Sequence, residues 1–313
     1  MEAVFTAALN NMLMILALMI IGYILNRTHL IPASLETVVS KLIVYIFLPA
    51  LLINTFMTQC TPENLRANMM LILYGTGFFF LSILAATFVT ELIAHHDENL
   101  RGIYRYSLTF PNTGGVGTPL MLAMYGTAGY FQLSLFILPF SIGTYVWGIE
   151  QLRPLTKEHP KHRLSLRGLF NAAMVAELIG FLLGITGVAQ YLPAMIPDTL
   201  SKLGGCYPLL SLILLGYVIA DYDPKEIIDI KADVVISLFR LILFPAAFLG
   251  LLTLLGAPQI VRVVTAIAFA CPCGMNTVVY GTAFGQDSRI GAGLLLVTNL
   301  LAVLTMPLMQ LLI

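Results

Sequence analysis

The chain of 313 residues contains 16 Lys and Arg and 16 Asp and Glu, so its formal net charge is zero. Hydrophobic residues make up 58% of it and charged residues 10%, against roughly 25% charged in soluble domains. This composition excludes a soluble globular protein, predicts an integral membrane protein and gives no basic excess for binding nucleic acid.

Apolar segments long enough to cross a hydrocarbon core of ~30 Å recur along the chain. We predict ten spans, at residues 3–25, 36–57, 68–93, 104–125, 128–150, 167–189, 199–221, 233–255, 260–284 and 290–312. The connections after the odd-numbered spans carry most of the Lys and Arg residues. By the positive-inside rule those connections are cytoplasmic, and both termini lie outside. We expect a multi-pass protein of the plasma membrane, which is the inner membrane in bacteria.

The longest connection, residues 151–167, is polar and basic and contains two prolines. It divides the chain into a first unit, 1–150, and a second unit, 167–313, with 151–166 as a basic cytoplasmic linker. A linker that fixes the topology is the simpler interpretation. The alternative is a lipid-binding or regulatory segment.

The two five-span units repeat sequence markers in the same order. Tyr-Gly-Thr-Ala ends the fourth span of each unit, at 125–128 and 280–283. Pro49 and Pro208 fall in the second span of each unit. An odd number of spans places the second unit inverted relative to the first, and inverted repeats are typical of transporters. We therefore predict an all-α membrane protein built as a five-plus-five inverted repeat.

Spans four and nine contain helix breakers at mid-span, in FPNTGGVGTP and in ACPCGMNT. Proline removes a backbone donor, and lipid cannot satisfy the backbone groups that a broken helix frees, so such backbone is buried or lines a cavity. A helix that restarts at this depth presents a positive N-terminus, which favours an anion. The alternative is a pair of proline kinks filled by neighbouring side chains. The predicted substrate-binding residues are Pro111, Asn112, Thr113, Gly114, Gly115, Pro119, Cys271, Pro272, Cys273, Gly274, Met275, Asn276 and Thr277, with Asn54 of span two.

Two ionisable residues stand out by their depth inside predicted spans. Glu177 lies about ten residues into span six, and an acid inside a span is a functional candidate. It could carry a coupling proton, or it could be an interfacial or dimer-contact residue. Arg240 lies in span eight, where it could balance an anionic substrate or extend its charge to the membrane interface.

Enzymatic activity is not expected, and neither is a cofactor. The five histidines fall in predicted cytoplasmic connections, which excludes an intramembrane zinc-protease motif. Cys271 and Cys273 flank a proline, and two thiolates so placed would suit Cu(I), so metal transport is an alternative. The other interpretation is that both cysteines are small residues beside the broken segment.

The ten-span layout, the two broken segments, LFNAAMVAELIGFLLGITGV and RLILFP resemble the auxin efflux carrier family of membrane transporters, over essentially the whole chain. That family includes plant PIN carriers and bacterial members associated with malonate or malate. The resemblance implies a fold shared with sodium/proton antiporters and bile acid symporters, in which spans four and nine cross at Pro111 and Pro272. It also implies an organic anion, malate-like, malonate-like or auxin-like, whose carboxylate lies near Asn112 and Asn276.

The same resemblance implies a scaffold of spans one, two, six and seven that forms a homodimer. Spans three to five and eight to ten would then move as an elevator. The large hydrophilic loop of plant carriers is replaced by a short linker, so their phosphorylation control is not expected. The paired acids of sodium-binding relatives are absent, which leaves a proton, sodium or no coupling ion as alternatives.

We therefore predict a secondary transporter or facilitator of a small organic anion. One alternative is a cation/proton antiporter of the same fold that uses Glu177. Another is a ligand sensor that does not transport.

Overall fold

The computed structural model describes residues 2–32, 35–94, 96–156, 170–223, 227, 230–284 and 288–312. These ranges are almost entirely helical, and their single β-type pairing is one isolated antiparallel bridge between Pro111 and Cys273. The predicted all-α class is therefore confirmed. Residues 157–166 of the predicted linker and residues 167–169 of the second unit lie outside the described ranges.

The first half is a series of helices separated by short breaks and π-helical turns. Its elements are α1 (Glu2–Arg27), α2 (Leu35–Leu42), a π turn (Ile43–Phe47), α3 (Leu48–Gln59), α4 (Pro62–Ile93), α5 (Glu98–Thr109), a π turn (Thr113–Gly117), α6 (Thr118–Gly143), a π turn (Thr144–Gly148) and α7 (Ile149–Gln151).

The second half is likewise a series of helices separated by short breaks and tight helical turns. Its elements are α8 (Ala172–Ile185), a 3₁₀ turn (Val188–Tyr191), α9 (Met195–Ile219), α10 (Ile230–Leu238), a π turn (Phe239–Leu243), α11 (Phe244–Leu254), α12 (Gln259–Ala270), α13 (Asn276–Ala283) and α14 (Ser288–Gln310).

Polar caps fix where several of these helices begin. Thr61 caps α4 by accepting a hydrogen bond from the backbone N–H of Asn64 at 3.2 Å, and Pro62 occupies the first helical turn. Asp97 caps α5 and Asn171 caps α8, each accepting two backbone N–H groups of the first turn. The helix starts therefore follow from short-range sequence signals.

Seven helices in the described chain are long and apolar enough to cross a membrane, whereas ten spans were predicted. The seven are Phe5–Arg27, Thr37–Gln59, Pro62–Ile93, Thr113–Gln151, Met195–Ile219, Ala232–Leu254 and Arg289–Gln310. The counts differ because span nine is broken into two short helices and span six is the 14-residue helix α8. In addition, Thr113–Gln151 holds the second part of span four together with span five. Gly126, at φ 65° and ψ −163°, interrupts the helix between them, in the left-handed region that glycine tolerates.

The helices predicted as spans one, two, six and seven contact one another. α1 packs along α9, and α3 packs along both α8 and α9. A Cβ on Gly22 would overlap the carbonyl of Ile213, and a Cβ on Gly216 would overlap the carbonyl of Met19. The backbones of α1 and α9 are thus in direct contact, a packing that small residues allow in membrane helices.

The remaining helices form a second packed group. α4 packs on α5 and α6, α11 packs on α12, and α10 and α13 both pack on α14. Phe269, the penultimate residue of α12, packs against Phe248 of α11, with ring centroids 4.6 Å apart, and against Phe140 of α6 at 5.7 Å. Because Phe269 lies just before a break, this aromatic contact helps to fix the position of the broken segment.

Candidate functional site

The two predicted breaks contact each other. Pro111 and Cys273 form the isolated antiparallel bridge, and the backbone N–H of Asn112 donates to the carbonyl of Pro272 at 2.9 Å. Gly274 lies beside Asn112, because a Cβ on Gly274 would be 3.9 Å from the Asn112 Cα. The structure therefore brings together two short stretches of sequence about 160 residues apart.

The first break follows from proline and asparagine. α5 ends at Thr109, since Pro111 cannot donate to the helical ladder and disfavours helical backbone in the residue before it. Asn112 then caps the next helical segment: its Oδ1 accepts the N–H of Gly115 at 2.9 Å, and its carbonyl accepts the N–H of Val116 at 3.0 Å. Pro119 is buried one turn later, at the start of α6.

The second break is held by threonine hydroxyls. α12 ends at Ala270, and the backbone N–H of Cys273 donates to the Thr298 hydroxyl of α14 at 3.1 Å. The Thr277 hydroxyl donates back to the carbonyl of Gly274 at 2.8 Å, across the residues where the chain becomes helical again. α13 then starts at Asn276.

Several hydrogen-bond donors at the two breaks have no acceptor in the described part of the chain. The buried Nδ2 of Asn112 makes no hydrogen bond. The backbone N–H groups that begin the two restarted helical segments are also unpaired there. They belong to Thr113 and Gly114 at the first break and to Met275 and Asn276 at the second. Since buried donors are normally satisfied, this concentration of free donors indicates a place for an acceptor-rich ligand.

The side chain of Asn276 differs from that of Asn112 because it has a partner. Its Nδ2 donates to the hydroxyl of Tyr106 on α5 at 2.8 Å. Tyr207 of α9 faces the first break, since a Cβ on Gly114 would lie 3.1 Å from its hydroxyl oxygen. Neither tyrosine was among the predicted site residues, and their local sequence gives no signal beyond an aromatic residue in an apolar span.

Arg240 lies between the two breaks and is completely buried, at 0% exposure. Its guanidinium donates to the carbonyl of Leu108 at 2.8 Å, to that of Cys271 at 3.0 Å and to that of Ala268 at 3.5 Å. One alternative expected Arg240 to extend its charge to the membrane interface. The buried position of the guanidinium contradicts that alternative. The guanidinium is bound to backbone at the C-terminal ends of α5 and α12, partners that the sequence did not indicate.

Glu177 and Asn54 lie on helices outside the broken segments. Glu177 of α8 is half-buried on the same face as Gly180, which packs against α3. Within the described residues its carboxyl makes no hydrogen bond or ion pair. The Asn54 carbonyl accepts from the Thr58 hydroxyl at 2.8 Å, and no hydrogen bond joins the Asn54 side chain to either break in the described ranges.

The two thiols of the Cys-Pro-Cys segment point to different acceptors. Cys271 donates to the carbonyl of Ile267 at 3.1 Å, and Cys273 donates to that of Ser107 at 3.8 Å. A Cβ on Gly117 would lie 2.9 Å from the Cys271 sulfur, so this thiol fills space beside the first break. Among the described residues no three His, Cys, Asp or Glu side chains gather in a metal-ligand arrangement. The copper alternative thus receives no support from the geometry.

Taken as a set, the groups at the breaks can attract and orient an anion. The free donors lie at helix N-termini, where the backbone dipoles leave about +0.5 charge each. At the same breaks the carbonyls of Leu108, Ala268 and Cys271 accept hydrogen bonds from the positively charged Arg240. The local field at the free donors is therefore positive, and among the described residues no three His, Cys, Asp or Glu side chains gather there as metal ligands.

Comparison with known proteins identifies the chain as a membrane transport protein. The sequence model of the family described as membrane transport protein matches residues 7–310. A protein of the archaeon Methanocaldococcus jannaschii, described as an uncharacterized transporter, is 23% identical over 306 residues, which cover 95% of this chain and 96% of the relative. Both descriptions are of transporters and not of enzymes. The chain therefore belongs to the membrane transport protein family, and the resemblance to auxin efflux carriers read from its motifs is confirmed.

Proposed function

We propose that this membrane protein is a secondary transporter or facilitator of a small organic anion, whose carboxylate binds at the two breaks. One observation carries the proposal: the buried Nδ2 of Asn112 lacks an acceptor, beside unpaired backbone N–H groups at the starts of two helical segments. A carboxylate offers about four lone-pair sites on two oxygens, which suits convergent amide donors. Hydrogen bonds to a charged acceptor contribute about 1.5–3 kcal/mol each, more than those to a neutral one.

The charge distribution around the breaks supports an anion over a cation. A cation would need carbonyl or carboxylate oxygens, and three buried carbonyls at the ends of α5 and α12, those of Leu108, Ala268 and Cys271, are already bound to the positive charge of Arg240. The Nδ2 of Asn112 and the unpaired backbone N–H groups beside it are donors. A neutral ligand would gain the hydrogen bonds but not the interaction with the two helix dipoles.

We also propose the finer architecture in which ten spans form a five-plus-five inverted repeat whose broken spans four and nine cross. Two features support it. α1 packs on α9 through Gly22, and α8 packs on α3 through Gly184, so equivalent spans of the two halves make equivalent contacts. The two breaks also lie at corresponding places in their halves and touch each other.

In this architecture the helices predicted as spans one, two, six and seven form a scaffold and pair in a homodimer. The second packed group, which carries both breaks, moves the bound anion across the membrane as an elevator. Both termini lie outside and the central linker is cytoplasmic, as the charge distribution of the connections predicts. A change in accessibility of a cysteine placed beside Asn112, with and without substrate, would test the movement.

A cation/proton antiporter is the second candidate, and Glu177 is the observation in its favour. The carboxyl is half-buried in α8 and has no hydrogen-bond or ion-pair partner among the described residues. A carboxyl in a membrane helix is costly unless it is used. In that case Glu177→Gln would abolish proton-linked cation exchange and leave carboxylates without effect.

A thermal-shift screen of the detergent-solubilised protein tests the anion site. Short mono- and dicarboxylates are compared with monovalent cations as added ligands, because a ligand that prefers the folded state raises its stability. Asn112→Asp keeps the acceptor for the Gly115 N–H but replaces the free donor by a negative charge. Asn11→Ala makes an amide-to-methyl change on an exposed face of α1 and serves as the control.

We expect a carboxylate to raise the melting temperature of wild type and of Asn11→Ala and to leave that of Asn112→Asp unchanged. Stabilisation by cations alone, lost in Glu177→Gln, would replace the proposal with the antiporter. Saturable carboxylate binding without uptake into proteoliposomes would identify a sensor.

A further inference from the structure

The fully buried Arg240 has no acidic partner among the described residues, which is unusual for a charge inside a membrane protein. Its three acceptors are backbone carbonyls of Leu108, Ala268 and Cys271. These carbonyls belong to the last turns of α5 and α12 or follow them directly, where helices have no intrahelical donors left. The guanidinium thus joins the two broken helices at their negative ends.

The charges at this point balance. Each helix C-terminus carries roughly −0.5 elementary charge, so two of them present roughly −1. One guanidinium offsets that charge, and its planar set of five N–H groups can serve carbonyls in several directions. Phe269 adds a ring face 5.9 Å from the guanidinium carbon.

In transporters with broken helices, unwound carbonyls and half-helix C-terminal ends coordinate the coupling cation. We infer that Arg240 is a tethered replacement for such a cation, so that anion binding at the breaks requires no sodium or potassium ion. The side chain acts as a positioning residue: it keeps α5 and α12 together and cancels their negative ends, which leaves the N-terminal donors free to attract the anion. This inference deepens the proposed function and rests on it for the ligand readout.

The first test needs no ligand. Melting temperatures are measured for wild type, Arg240→Ala and Arg262→Ala, with and without guanidinium chloride far below the concentrations that unfold proteins. Arg262→Ala removes the same side chain from the first turns of α12, away from the breaks. Choline chloride at equal concentration controls for ionic strength.

We expect Arg240→Ala to melt roughly 10 °C lower than wild type, because the carbonyls lose their buried charge partner. Added guanidinium is expected to recover part of that loss in Arg240→Ala and to raise neither wild type nor Arg262→Ala. A folded Arg240→Ala that gains nothing from guanidinium would overturn the inference.

The second test uses the carboxylate that stabilises wild type. Its affinity is expected to be equal in sodium, potassium and choline salts. A sodium requirement in wild type would refute the tethered-cation role. If no carboxylate binds, the proposed anion function fails, while the guanidinium result remains decisive for Arg240.

Arg240→Ala could fail to fold, and a second pair of variants covers that outcome. Arg240→Lys keeps the charge, whereas Arg240→Gln keeps hydrogen-bond donors without it. We expect the lysine variant to be folded and to melt at a higher temperature than the glutamine variant. Equal stability of the two would show that the charge is not needed and would contradict it.

Discussion

Gly115 offers a sensitive test of the free donor at the first break. A Cβ at this position would lie 2.6 Å from Oδ1 and 2.9 Å from Nδ2 of Asn112, closer than ordinary van der Waals contacts of 3.4–4 Å. In Gly115→Ala the amide must therefore rotate away. The rotation breaks the 2.9 Å hydrogen bond that Asn112 accepts from the N–H of residue 115 and moves Nδ2 away from its present position at the first break.

Two effects on stability nearly cancel. Loss of an N-cap costs about 1 kcal/mol, with a range of roughly 0.5–2 kcal/mol. Alanine is favoured over glycine inside a helix by about 1 kcal/mol. The free energy of unfolding should therefore change little. The affinity for a carboxylate should fall by roughly 10- to 150-fold, since one hydrogen bond to a charged acceptor is worth about 1.5–3 kcal/mol.

The assay is a titration of melting temperature with the carboxylate found in the screen, on wild type, Gly115→Ala and Gly250→Ala. The last variant is a matched control, because a Cβ on Gly250 of α11 meets nothing within 4 Å. Wild-type carboxylate affinity in Gly115→Ala, with an unchanged melting temperature, would refute the role assigned to the Asn112 amide.

Three further predictions follow from packing and exposure. Gly216→Ala should abolish a monodisperse peak in size-exclusion chromatography, because its Cβ would overlap a carbonyl of α1. The control Gly205→Ala, which has open space at its Cβ, should keep that peak. A monodisperse Gly216→Ala would contradict the contact between α1 and α9. In the native protein a maleimide should modify the exposed Cys206 much faster than the other three cysteines, which are buried. Mass spectrometry counts the labels, and several equally fast sites would be inconsistent with this fold. Tyr106→Phe removes the hydroxyl that accepts from the Asn276 amide. It should lower the free energy of unfolding by about 1 kcal/mol and change the carboxylate affinity by about tenfold at most. Thermal unfolding and ligand titration measure the two effects, and no change in either would argue against that hydrogen bond.

The breaks at mid-span were predictable because their causes are local. Pro111 and Pro272 end helices through their own ring and missing N–H, and Asn112 is a strong helix cap in any surroundings. The interruption between spans four and five at Gly126 also has a local cause, since its backbone adopts a conformation that favours glycine. These features need no knowledge of distant residues.

The partners of the polar side chains were not predictable. Arg240 is bonded to Leu108, 132 residues away, and Asn276 to Tyr106, 170 residues away. A backbone carbonyl has no residue-type signature, so neither charge pattern nor motif could indicate that it accepts from the guanidinium. Seven long helices stand against ten predicted spans because spans six and nine consist of short helices and because Thr113–Gln151 holds part of span four together with span five.

Uptake into proteoliposomes measures directly whether the protein carries a carboxylate across a membrane. Wild type, Asn11→Ala and Asn112→Asp are reconstituted, and entry of a labelled carboxylate is followed in choline medium, with sodium medium as a parallel. We expect saturable uptake that unlabelled carboxylate inhibits and that is equal in both media. The uptake should be retained in Asn11→Ala and lost in Asn112→Asp. Uptake that is unaffected by Asn112→Asp, or its absence in wild-type vesicles for every carboxylate tried, would contradict a carboxylate transporter built on these two breaks.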